Sequence, residues 1–186
     1  MNKYIFALIL VFAFSVFTFA QDRVQLDDDQ TYLILSTKKI GTMEKELDEA
    51  STKGFRVVYG APTQQYDMAL FLEKIGKNDK SYSYKILATS RNKTMEKELN
   101  ELAAQGYRLL PRTIIFKQGF LTAELVMVME KNPNSNKQYE YKLVEAFKET
   151  KLHKKIEEAI AGGFNPVTMI TMGNHVIVTE KETVRP

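Results

Sequence analysis

Three stretches of the chain repeat one pattern of apolar and polar positions. Each opens on a tyrosine with aliphatic residues close behind: Tyr32-Leu-Ile-Leu35, Tyr84-Lys-Ile-Leu87 and Tyr141-Lys-Leu-Val144. These short runs predict strands. Each is followed by apolar residues at i, i+4 and i+7, the spacing of one helix face. They are Met43, Leu47 and Ala50; Met95, Leu99, Leu102 and Ala103; and Leu152, Ile156, Ala159 and Ile160. A glycine before an aromatic then closes each helix, at Gly54, Gly106 and Gly163. A helix C-terminus needs a left-handed residue there, and glycine adopts that conformation at least cost. Two more runs follow in each stretch and predict a hairpin. They are Phe55–Ala61 with Asp67–Lys74, Tyr107–Phe116 with Leu121–Lys131, and Phe164–Thr171 with His175–Lys181. Each stretch therefore reads β-α-β-β.

The repetition is literal. An offset of 52 aligns the first two copies without a gap over 24 positions, 12 of them identical; an offset of 57 aligns the second and third, with six identities. The expected fold class is α+β: three tandem β-α-β-β repeats, each a small, mostly antiparallel sheet covered by one helix, packed together. The expected bounds are 31–75, 83–131 and 139–182, with polar linkers between. Thr42, Thr94 and Thr150 are the expected N-caps, since a hydroxyl satisfies free N–H groups of the first turn. Pro111 and Pro166 cannot donate to a ladder and are expected at an edge or bulge. A unit of about 45 residues is near the size at which a lone core fails without a metal or disulfide. The chain has no cysteine, so the units are expected to share a core.

Two segments carry a family likeness. Tyr139-Glu-Tyr-Lys-Leu-Val144, followed by a helix and Gly163-Phe164, resembles a small bacterial module known as domain of unknown function 4177. So does Tyr84-Lys-Ile-Leu87 followed by Leu99-Asn100 and Leu102-Ala-Ala-Gln-Gly-Tyr-Arg-Leu-Leu110. The family pattern has Trp after the glycine, where this chain has Phe or Tyr. The resemblance implies the βαββ unit in three tandem copies over nearly all of 31–182, and implies no activity.

Residues 1–20 stand apart from the repeats. Lys3 precedes an uncharged run from Tyr4 to Phe14, and Thr18-Phe19-Ala20 places small residues for a cut between Ala20 and Gln21. This is the layout of a secretory signal peptide. An uncleaved leader would be the one membrane contact expected of the chain, and its 17 residues from Tyr4 to Ala20 are at the short limit for a span. The expected location is bacterial and exported, either periplasmic or secreted. Residues 21–30 form an acidic lead-in that includes Asp27-Asp-Asp29. A composition of 44% hydrophobic and 26% charged residues excludes disorder and a multi-span membrane protein. A net charge of +3 is too small to argue for nucleic acid, and no nucleic-acid partner is expected.

Concentrated chemistry is missing. His153 takes the helix position held by Glu44 and Glu96, off the apolar stripe, and His175 follows a hairpin turn without neighbours at metal-ligand spacing. A zinc site needs three or four such ligands. The Asp27–Asp29 run lacks the alternating ligands, glycine and distal glutamate of a calcium loop. Glu44, Glu46, Glu96 and Glu98 are expected in the first helical turn, where negative charge suits the macrodipole. Tyr32, Tyr84 and Tyr141 are expected to be half-buried core aromatics. No phosphate-binding loop or nucleophile elbow is present. No catalytic, cofactor-binding or metal residues are assigned, and no cofactor is expected.

The second hairpin is longer than the others and its excess is apolar. Ile115, Phe116, Phe120 and Leu121 form the candidate contact surface if exposed, or a wedge filling the shared core if the units pack tightly. The expectation is an exported, non-catalytic interaction or structural module with an unknown protein partner. The alternative is a small-molecule binder or enzyme with a cleft between repeats.

Overall fold

The computed structural model describes residues 29–63, 68–76, 81–118, 123–172 and 174–184. The leader, the Ala20/Gln21 cut, most of the acidic lead-in and the hairpin residues Phe120 and Leu121 lie outside the described residues.

Three βαββ units follow one another. Unit 1 is β1 (Tyr32–Thr37), α1 (Ile40–Thr52), β2 (Phe55–Pro62) and β3 (Met68–Lys74). Unit 2 is β4 (Ser83–Thr89), α2 (Asn92–Ala103), β5 (Arg108–Leu109), a 3-10 turn (Pro111–Thr113), β6 (Ile115–Gln118) and β7 (Ala123–Lys131). Unit 3 is β8 (Lys137–Ala146), α3 (Glu149–Ala161), β9 (Asn165–Met172) and β10 (Asn174–Val184). In each sheet the last strand is central and antiparallel to both neighbours: β1-β3-β2, β4-β7-β5 with β6 also on β7, and β8-β10-β9.

The helices begin earlier than the threonines suggest. Lys39, Arg91 and Lys148 are the N-cap residues, all extended and none making a side-chain cap, while Thr42, Thr94 and Thr150 fall inside the first turn. Threonines upstream shape the entry instead. Thr37 and Thr89 Oγ1 accept the N–H of Lys39 and Arg91 at 3.3 and 3.2 Å. Gly54, Gly106 and Gly163 have φ of 87°, 91° and 86°, the left-handed conformation expected at a helix end.

A ladder irregularity recurs at one position of the repeat. The register shifts between Val57 and Tyr59 in unit 1, and opposite Pro166 in unit 3. In unit 2 the same place opens into the 3-10 turn at Pro111, so the single strand expected over Tyr107–Phe116 is broken in two. Proline has no N–H to offer β7. Thr113 Oγ1 bridges the gap, accepting the Val128 N–H at 3.2 Å and donating to Leu110 O at 2.7 Å.

The units stack into a continuous body. α1 packs on β1 and β2 of its own unit and also on β4 of the next, and α2 packs likewise on β4 and β8. One core joins Leu33, Leu35, Met43, Leu47, Leu70 and Leu72 of unit 1 to Tyr84, Ile86, Ile115, Val126 and Val128 of unit 2. A second joins Met95, Leu99, Leu109, Met127 and Met129 to Tyr141, Ile170 and Val178 of unit 3. A smaller third core lies between α3 and the far face of sheet 3. Sheet 2 is covered on both faces, which is why Leu125–Met129 is buried at every position while β3 alternates.

Candidate functional site

The recurring polar residues meet at the two joints between units. In the first joint the Glu130 carboxylate, 6% exposed, receives a two-pronged contact from Arg56. Nε donates to Oε2 at 2.9 Å and Nη2 to Oε1 at 2.8 Å. The Tyr84 hydroxyl donates to Glu130 Oε2 at 3.1 Å and accepts the Val57 N–H at 3.3 Å. That N–H adjoins the ladder irregularity of β2. The Arg56 guanidinium lies 4.7 Å from the Tyr82 ring centre, within cation–π range.

The second joint repeats the first group for group. Arg108 Nη2 donates to Glu180 Oε1 at 2.8 Å and Nε to Oε2 at 3.1 Å. The Tyr141 hydroxyl donates to Glu180 at 2.8 Å and accepts the Leu109 N–H at 2.8 Å. Arg108 lies 5.1 Å from the Tyr139 ring centre. Burial first, and the neighbouring carboxylate second, hold the Tyr84 and Tyr141 hydroxyls well above the ordinary tyrosine range. The side-chain bond to the carboxylate holds both guanidinium groups firmly charged.

Helix side chains complete each joint by capping the edge strand of the next sheet. Glu44 Oε1 accepts the Ile86 N–H at 2.9 Å, and Glu96 Oε2 accepts the Leu143 N–H at 2.7 Å. Asn100 brackets Tyr141, donating to its carbonyl at 2.8 Å and accepting its N–H at 2.9 Å. Glu44 and Glu96 are therefore joint residues, and because the helices start at Ile40 and Asn92 neither they nor Glu46 and Glu98 fall in the first turn.

The residues singled out in the sequence are dispersed. Ile115 is fully buried between units 1 and 2, so it belongs to the core and not to a contact surface. Phe116 is 39% exposed. Tyr84 and Tyr141 are buried at the joints, whereas Tyr32 is 64% exposed. Ile160, placed on the apolar stripe of α3, is half exposed. The His153 side chain is exposed and pairs with Glu157 one turn on; His175 Nδ1 is buried and lacks a hydrogen-bond partner. Among the described residues no group of three His, Asp or Glu could hold a metal, and no helix is long and apolar enough to cross a membrane.

Arg56, Arg108, Glu130 and Glu180 had a sequence signal. Arginine recurs two residues after the helix-closing glycine, and a Glu-Lys pair closes every copy.

Two hollows have chemistry of note. One of about 200 Å³ lies where the joints meet and is lined by Arg56, Arg108, Glu130, Ser135, Lys137 and Tyr139. Its cations are already paired, Lys137 with Glu182 at 2.8 Å. The other, of about 440 Å³, opens at the start of α3 among Phe147, Lys148, Lys151 and Lys155.

Among the described residues, the open feature is the outer face of sheet 1. Ile34, Phe71 and Tyr59 lie directly opposite one another across its three strands. Tyr32 stacks on Phe71 at 6.0 Å between ring centres. Tyr32 and Ile34 are each 64% exposed and Tyr59 is 48% exposed. The same face of sheets 2 and 3 is covered by the preceding unit. No family model, curated protein or solved structure matches the chain.

Proposed function

We propose that the protein is an exported, non-catalytic interaction or structural module of the bacterial envelope, built from three units of the small family it resembles. One observation carries this reading. The recurrent Arg, Glu and Tyr residues of the two joints are consumed in joining the units, while among the described residues the aromatic outer face of sheet 1 remains uncovered. Such a patch marks a contact surface. The leader supports export.

The test is affinity capture from envelope extract with the full chain and with a Tyr32→Asp/Phe71→Asp variant that keeps its circular dichroism. Loss of a specific protein in the variant is expected. Equal recovery would remove the sheet 1 face, and a Phe116→Asp variant then tests what is exposed of the second hairpin. Mass spectrometry showing an N-terminus at Gln21 tests export with cleavage.

The hollow between the joints favours a second reading, a small anionic ligand held near Arg56, Arg108 and Tyr139. Its volume falls below the roughly 300–1,000 Å³ of common ligand pockets. Saturable shifts of the Tyr139 ring resonances on titration with small carboxylates or phosphates would support it.

A further inference from the structure

The two ends of the stack differ in what they keep of the joint. Sheet 1 keeps the receiving half. Tyr32 stands where Tyr84 and Tyr141 stand, and Glu73 where Glu130 and Glu180 stand. The tyrosine and glutamate are paired across the ladder in all three sheets. Ile34 stands where Ile86 and Leu143 offer their N–H groups to a helix carboxylate. Unit 3 has lost the inserting half. His153 replaces Glu44 and Glu96, Asn165 replaces Arg56 and Arg108, and Ile160 replaces the buried Ser51 and Ala103.

We propose that the outer face of sheet 1 receives a βαββ unit of a second, different polypeptide, seated by the same joint chemistry. A carboxylate on the partner's helix accepts the Ile34 N–H. An arginine on its following strand grips Glu73 in two-pronged fashion, with the Tyr32 hydroxyl between them. This rests on the interaction-module reading and names its partner class. A second copy of this chain fits less well. Its exposed end carries asparagine where the guanidinium must be, and a neutral amide cannot supply a bidentate cation. Two sheet 1 faces set against each other supply no guanidinium either, because Arg56 is held by Glu130. Phe71 takes the place of Val128 and Val178, so the partner must present a smaller side chain opposite it.

The probe is the chain refitted with the missing half, His153→Glu/Ile160→Ala/Asn165→Arg, followed by sedimentation across a concentration series. Wild type is expected to keep the mass of one chain. The refitted protein should form a ladder of multimers, its mean mass at least doubling, and adding Glu73→Arg should return it to one chain. A refitted protein with wild-type circular dichroism that stays a single chain overturns the proposal. So does a wild type that already self-associates through Tyr32. Should the triple variant lose its fold, Asn165→Arg alone, at an exposed position, carries the same test with weaker association expected. A benzoylphenylalanine photo-cross-linker in place of Ile34 separates this inference from the reading beneath it. A cross-link to a protein without such a unit, or to residues 21–28 of the same chain, overturns the inference alone. No cross-link to another protein counts against both.

Discussion

Arg56→Met asks whether the joints hold the stack together. The substitution keeps an unbranched apolar side chain and removes the guanidinium, together with its contact to the Tyr82 ring. Glu130, 6% exposed in the intact pair, is then held only by the Tyr84 hydroxyl. Removing one partner of a fully buried pair costs about 3–5 kcal/mol, while an exposed pair is worth about 0–1 kcal/mol. The joint lies between these cases, because the Arg56 side chain is 41% exposed and keeps part of its hydration. We expect a loss of about 2 kcal/mol, weighted toward the stranded carboxylate. Glu130→Gln should cost less, about 1 kcal/mol, since an amide oxygen can still accept from Tyr84 and strands no charge. The double variant should resemble Glu130→Gln alone, giving a coupling of about 1–2 kcal/mol.

Urea unfolding followed by circular dichroism measures these differences from the midpoint and slope; the chain has no tryptophan to report fluorescence. Arg108→Met should repeat the result at the second joint, where Glu180 is equally buried. Salt adds an independent check, since a pair shielded by protein is screened far less than a surface pair. An Arg56→Met loss below about 0.5 kcal/mol, or one that vanishes in about 1 M salt, would refute the reasoning and demote the pair to surface decoration.

Other outcomes follow from neighbouring features. The Tyr84 and Tyr141 hydroxyls titrate above their unfolded value near 10, so their contribution is fully present below about pH 10 and is lost as pH rises beyond it. Melting temperatures should fall more steeply above that pH in wild type than in Tyr84→Phe/Tyr141→Phe. Gly60→Ala should destabilise by about 1–3 kcal/mol, because the new Cβ would lie 2.9 Å from the Thr113 backbone. A paired comparison in the second hairpin separates wedge from surface: Ile115→Ala should cost about 2–5 kcal/mol, and Phe116→Ala well under that in the same urea assay.

The unit was legible because its signals are local. Helix stripes and closing glycines act within a dozen positions, and each repeats three times. What the sequence reading missed is how units meet, which depends on side chains far apart in the chain. Arg56 and Glu130 are 74 residues apart, and neither is unusual alone. The threonines are not the caps because extended Lys39, Arg91 and Lys148 start the helices two or three residues earlier. The three tyrosines have alike local surroundings in the sequence. Their burial differs because units 2 and 3 have a unit in front of them in the stack, and sheet 1 shows none among the described residues. One signal was available and unread: Leu125–Met129 is apolar without alternation, as a strand covered on both faces requires.

Buried ion pairs are a weak source of stability, since their desolvation offsets most of the attraction. Their value here is in register. Two apolar faces of similar shape can slide by a residue pair at modest cost. A carboxylate that must meet a guanidinium and a hydroxyl, while that hydroxyl meets a strand N–H, can do so in one arrangement only. The same chemistry explains how a cysteine-free chain of small units stays one body. It also gives a physical consequence to the way unit 3 differs. If His153 and Asn165 were glutamate and arginine, the chain would present complementary ends, and heterologous contacts that do not close build open filaments. Without an inserting half on unit 3, the receiving half on sheet 1 has no match in this chain, which is why the proposed occupant is a different polypeptide that carries those residues.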